Sequence, residues 1–116
     1  MSISGKGAKL KSYKTLKVID GKSEVYELPR NCFVAAVCVP ESINGTMTVL
    51  GSFTGEPRQI FAEGELLEPM AALPGSVIVL YPDVMKPLRF VRFDFAGQSE
   101  NDPPINGELE ISLLVV

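Results

Sequence analysis

The sequence predicts an all-β chain, an antiparallel β-sandwich of jelly-roll-like organisation with a flexible N-terminal arm. Three observations carry that prediction. Apolar residues recur with period two, or in short runs bounded by Gly, Pro, Asn and Asp, the pattern of strands standing on a buried face. Turn residues return about every eight to twelve positions, the spacing of sandwiches and barrels. Helix formers gather in one place only, and a proline interrupts them.

Residues 1–11 (MSISGKGAKLK) are rich in Gly, Ser and Lys and read as a flexible basic arm; residues 12–116 read as one domain. Tyr13 to Ile19 (YKTLKVI) is the first strand, closed by Asp20-Gly21, and Ser23 to Leu28 (SEVYEL) the second, stopped by Pro29. Cys32 to Val39 (CFVAAVCV) is continuously apolar and reads as a central strand buried on both faces, ended by Pro40. Asn44-Gly45 has the residues of a tight turn with positive φ, and Thr46 to Phe53 (TMTVLGSF) follows it, with Gly51 suggesting a bulge. Arg58 to Ala62 is a short strand. Glu63 to Leu73 (EGELLEPMAAL) holds the helix formers, limited to about one turn by Pro69. Ser76 to Tyr81, Leu88 to Phe95 and Glu108 to Val116 complete the strands, the last two separated by the polar loop AGQSENDPPING.

The 116 residues suffice for a core that stands without staples, and 46% apolar with 22% charged residues argues against extended disorder. No apolar run approaches the roughly 20 residues of a membrane span. The first residues carry lysines but not the apolar segment of a signal peptide, which places the protein in a cytoplasm or in an assembly built there.

Histidine and tryptophan are absent. Without histidine there is no Ser-His-Asp triad, no Cys-His pair and no imidazole zinc ligand, so the chain reads as non-enzymatic, with no metal or cofactor. A small hydrolase would need a carboxylate pair on facing strands, and no spacing points to one. Cys32 and Cys38 are the only cysteines. On an extended strand their Cα atoms stand roughly 20 Å apart, far beyond disulfide range, so both read as reduced thiols and small core hydrophobes.

Charge is unevenly placed. Lys6, Lys9, Lys11, Lys14 and Lys17 all precede the first acid, Asp20, so the first nineteen residues carry +5 and the rest −8. A basic arm on an acidic body is a poor footprint for nucleic acid and suits a strap lying on an acidic protein surface. Lys6, Lys9, Lys11 and Lys14 are its candidate partner-binding residues.

The stretch LRFVRFDF interleaves rings with charge. As a strand it places Val91, Phe93 and Phe95 on one face with Arg89, and Leu88 and Phe90 on the other with Arg92 and Asp94, which pair laterally. The RNA-stacking motif of RRM domains has glycines and a ring register that this stretch lacks, and the chain has no sequence for that fold's two helices. The rings therefore read as core. Asn44-Gly45-Thr46 fits a glycosylation acceptor but reads as a turn; Glu100, Asp102 and Glu108 lack a recognised calcium-ligand spacing. Tyr26, Phe53 and Tyr81 would suit a sugar site but are assigned to the core.

The stretches LPRNCFVAAVCVPESINGTMTVLGSF and VIVLYPDVMKPLRFVRFDFAG, then a polar loop and a final ELEISLLVV, resemble in their order a group of small all-β virion proteins of tailed bacteriophages. The resemblance covers roughly residues 28–116 and is one of pattern, without a catalytic signature. Thr54-Gly55-Glu56-Pro57 departs from the Asp-Gly hairpin common after the third strand in those proteins, and the lysine arm has no counterpart. The resemblance implies a capsid decoration or cement protein that binds the outer shell and bridges neighbouring subunits. Its partners are then the major capsid protein and copies of itself in a homo-oligomer, with no nucleic acid or membrane. It is then located on the virion surface, and in the host cytoplasm during assembly. The alternative is a carbohydrate- or receptor-binding sandwich of a phage tail or fibre.

Overall fold

The computed structural model describes residues 12–99 and 101–116; the expected arm at 1–11 lies outside the described residues, as does Glu100. The elements in chain order are β1 (Ser12–Ile19), β2 (Lys22–Ser23), β3 (Tyr26–Glu27), β4 (Val34–Cys38), β5 (Gly45–Ser52), β6 (Arg58–Gln59), β7 (Phe61–Ala62), β8 (Glu65–Leu66), β9 (Met70–Ala72), β10 (Val77–Val79), α1 (Pro82–Met85), β11 (Phe90–Gly97) and β12 (Glu108–Val115). The class is all-β and, among the described residues, every pairing is antiparallel, as the periodicity predicts.

The main hydrogen bonds run in one continuous path rather than through two separate sheets. The order is β10-β4-β12-β1-β2-β11-β5-β6, with β3 also on β11 and β9 also on β5, and the sheet curls into a half-barrel. The β7–β8 hairpin pairs only with itself.

The curl closes around one apolar interior. Leu16 and Val18 of β1 meet Ile111, Leu113 and Val115 of β12, and Val34 and Val37 of β4. From the other half come Met47 and Val49 of β5 and Val91, Phe93 and Phe95 of β11. Leu16 stands opposite Ile111, Phe93 opposite Val49 and Phe95 opposite Met47, so directly paired positions share the inner face. Ile43 and Leu80, from connections, and Met85 of α1 are buried with them.

The two halves are joined through a tight hairpin. Asp20 and Gly21 both take positive φ, 50° and 85°, the conformation that suits a two-residue turn between twisted strands. Beyond it Val18 pairs with Ser23, and Lys22 pairs with Asp94 of β11. Here the ladder is too short to satisfy β11 by itself. The Ser23 hydroxyl takes over: it is buried, accepts the Phe93 N–H at 2.9 Å and donates to the Glu24 carbonyl at 2.9 Å. Ser23→Ala leaves that amide buried without an acceptor, so a loss of about 1–3 kcal/mol is expected in urea denaturation. A midpoint equal to that of the parent would show that the bond does not hold the junction.

Several local expectations are corrected. The segment 23–28 is not one strand. It breaks at Glu24-Val25, where Glu24 N–H donates to the Lys17 carbonyl and the Glu24 carboxylate accepts the Lys17 N–H at 2.8 Å. Residues 32–39 shorten to β4, and a register shift opposite Leu114/Val115 turns Val34 inward. Asn44-Gly45 is not the turn: Gly45 is the first residue of β5, paired with Gly97 and Ala72. Gly51 makes no bulge and keeps register with Val91; a Cβ there would run into the Leu88 side chain at 2.6 Å. No helical turn forms within 63–73, which instead supplies a hairpin turn at Glu63-Gly64 (φ 53° and 83°), β8 and β9. The one short helix among the described residues is α1, where Pro82 occupies the first turn, a place that does not need its missing N–H.

Both cysteines are free; Cys32 is half-buried and packs against the core, whereas Cys38 is exposed and not a core residue. Cys38 sits opposite Val77 and Ser112 on the outer face, and Cys32 precedes β4 in a turn closed by its own N–H to the Pro29 carbonyl.

Candidate functional site

The residues singled out in sequence do not gather at one place. Lys6, Lys9 and Lys11 lie outside the described residues. Lys14 is exposed on β1, and its ammonium lies 5.7 Å from the centre of the Tyr26 ring, a cation–π distance. Burial raises the Tyr26 hydroxyl pKa above its ordinary value, and the Cys32 thiol adds to the rise. Asp102 is exposed, and its carboxylate accepts the Ser99 N–H at 3.0 Å. Among the described residues no cluster of three or more acids, cysteines or histidines is placed to hold a metal ion. No described helix is long and apolar enough to cross a membrane.

The LRFVRFDF stretch behaves as its periodicity predicts. Val91, Phe93 and Phe95 are buried. Arg92 forms two hydrogen bonds with the Asp94 carboxylate, each 2.9 Å, on the opposite face, and Arg89 pairs with Glu27 at 2.8 Å. These rings are not available for stacking.

Other apolar side chains are. Assigning Phe53 and Tyr81 to the core is wrong: they are 74% and 75% exposed, while Tyr26 is half-buried elsewhere. Phe53 follows β5, and Tyr81 caps the N-terminal end of α1. They line one open cleft with Phe61, Val84 and Leu88, beside the carboxylates of Glu63 and Asp83. Phe61, 63% exposed, is brought there by the β7–β8 hairpin. Sequence reasoning missed it because a helical turn was expected just beyond, over 63–73. Glu63-Gly64 between two short apolar runs was the available signal of a hairpin.

A second surface lies on the outside of the curl. The pairings align Val79, Ala36, Leu114 and Tyr13 in one row across β10, β4, β12 and β1. Val77, Cys38, Ser112 and Thr15 form the adjacent row. None of these eight residues is charged. Tyr13 and Val79, at the ends of the first row, are 80% and 78% exposed, while Leu114 between them is half-buried and Ala36 buried. Charges return in the next row, Glu110 opposite Lys17. The outer face of the other half differs: Lys22, Asp94 and Thr48 form one row there, and Arg92 stands opposite Leu50.

The chain thus offers two apolar surfaces, an aromatic cleft and an uncharged outer face, and no assembled catalytic constellation among the described residues. No known protein family matches the chain, and no curated protein or solved structure matches it either.

Proposed function

We propose that this chain is a non-enzymatic structural protein that docks on a larger assembly through the outer face of β10, β4, β12 and β1. The form implied by the sequence resemblance is a decoration protein of a tailed-phage capsid, bound to the major capsid protein and bridging neighbouring subunits. The observation that supports docking is the uncharged double row running from Val77 and Val79 to Thr15 and Tyr13. Scattered exposed apolar residues are ordinary, whereas contiguous ones rimmed by charge mark sites of association. In this reading Lys6, Lys9 and Lys11 add salt-sensitive contacts on an acidic neighbour, and Lys14 stands at the same end of β1 as Tyr13.

Gradient-purified particles from the cells that make the chain are the test. The protein is expected to co-sediment with them, and Tyr13→Asp, at an exposed position of the row, is expected to release it without changing the melting temperature of the free domain. Recovery of the unsubstituted protein only from the unsedimented fraction would sink the reading.

The cleft supports a second reading, a module that binds carbohydrate. Phe53, Phe61 and Tyr81 offer ring faces, and Glu63 and Asp83 offer acceptors for sugar hydroxyls. A glycan array separates the two: specific binding lost in Phe61→Ala would favour this reading.

A further inference from the structure

We propose that β10 is a self-complementary sheet edge through which two copies of this chain pair as an antiparallel, two-fold symmetric dimer. The inference rests on the backbone of β10 and not on the docking reading above. β10 is the first strand of the sheet and, among the described residues, pairs only with β4. The Val39 N–H donates to the Ser76 carbonyl and the Leu80 N–H to the Ala35 carbonyl. In an antiparallel ladder the positions that bond to one neighbour alternate with those that face away. Residues 76, 78 and 80 therefore face β4, and the N–H and C=O groups of Val77 and Val79 point out of the edge.

Those groups are disposed symmetrically about Ile78. Under a two-fold axis through Ile78, Val77 of one copy stands opposite Val79 of the other, each exchanging N–H and C=O bonds. The sequence V-I-V reads the same in both directions, so the side chains match as well. Val77 and Val79, 59% and 78% exposed, would pack against the partner's Val79 and Val77 on the outer face. No like charges are brought together, because residues 75–82 (GSVIVLYP) carry none. Such an edge, with exposed β-branched residues and no lysine, is the kind that natural sheets ordinarily blunt unless it is used.

The geometry also favours a closed pair over a fibre. Pro74 and Pro82 bracket the edge and cannot donate, which limits the pairing to its centre. The opposite end of the sheet is divided between β6, with Arg58, and β9, so a head-to-tail match with β10 lacks a continuous partner. An isologous contact is what remains. A short strand pair buries little area, so the dimer should be weak and concentration-dependent.

Sedimentation equilibrium of the full chain, from about 1 μM to about 1 mM, tests this, spanning dissociation constants of weak pairs. The weight-average mass should rise from the 12.6 kDa of one chain toward twice that value. Hydrogen exchange at the Val77 and Val79 amides should slow as concentration rises. Val79→Lys, at a position exposed in the monomer, should raise the dissociation constant at least about tenfold, or 1.4 kcal/mol, with an unchanged melting temperature in dilute solution. A chain that stays monomeric throughout overturns the proposal, whatever else covers the edge. So does a dimer that survives Val79→Lys with both amides still exchanging fast.

Discussion

Phe93→Ala is expected to destabilise the domain by about 3–5 kcal/mol, the cost of removing a fully buried ring and leaving its cavity. Phe93 has 0% exposure and lies at the centre of β11, with Val49 of β5 opposite and its own N–H held by Ser23 of the junction strand. The surrounding sheet is bonded on both sides of it and has little freedom to collapse into the space. Against a total stability of about 5–15 kcal/mol, such a loss unfolds a large share of the margin. The melting temperature should fall by more than about 10 °C. Arg92→Ala, one residue away, is the control. It removes one partner of a half-exposed pair on the other face, and Lys22 still stands opposite Asp94, so under about 1 kcal/mol is expected. If Phe93→Ala kept its stability and lost only binding to a partner, the ring would be an interface residue and the core assignment would fail.

That contrast explains what the sequence discloses and what it withholds. Val91, Phe93 and Phe95 alternate with Arg92 and Asp94, so a period of two is sufficient to put the rings inside and the charges outside. The same reasoning succeeds for β1 and β12, long strands with a clear inner face. It fails where the signal is short or has two solutions. Glu63-Gly64 lies beside helix formers, and local composition outweighed the signal of the hairpin whose turn these two residues form with positive φ. SVIVLY reads simply as a strand, and that β10 ends the sheet is a property of topology that no local pattern encodes. The exposed Phe53, Phe61 and Tyr81 were hidden for the same reason. An aromatic residue looks alike in sequence whether its ring meets the core or a cleft, and here three connections converge to decide it. A histidine-free composition says nothing of which surface is used.

Gly45→Ala is expected to cost about 3 kcal/mol or more, through overpacking against atoms that cannot yield. A Cβ on Gly45 would run into the Ala96 carbonyl oxygen and fall 2.9 Å from its carbon, both main chain. Gly45 is paired on both sides, with Gly97 of β11 and Ala72 of β9, so relief in one direction breaks pairing in the other. Two explanations of this glycine make different predictions. If Asn44-Gly45 were a turn needing positive φ, asparagine would be tolerated at 45, since it adopts that conformation more readily than other side chains. In the structure Gly45 is not among the glycines with positive φ, and the obstacle is contact. Gly45→Asn should therefore be at least as damaging as Gly45→Ala. Gly64 supplies the opposite case: its φ is +83° and nothing lies within 4 Å of an added Cβ, so Gly64→Asn should cost much less. Chemical denaturation of the three variants beside the parent decides between the explanations. A Gly45→Asn midpoint close to that of Gly64→Asn would overturn the close approach of β5 and β11 at Ala96. A large loss confined to position 45 would mean that the sheet is pinned there by two backbones with no room for a side chain between them.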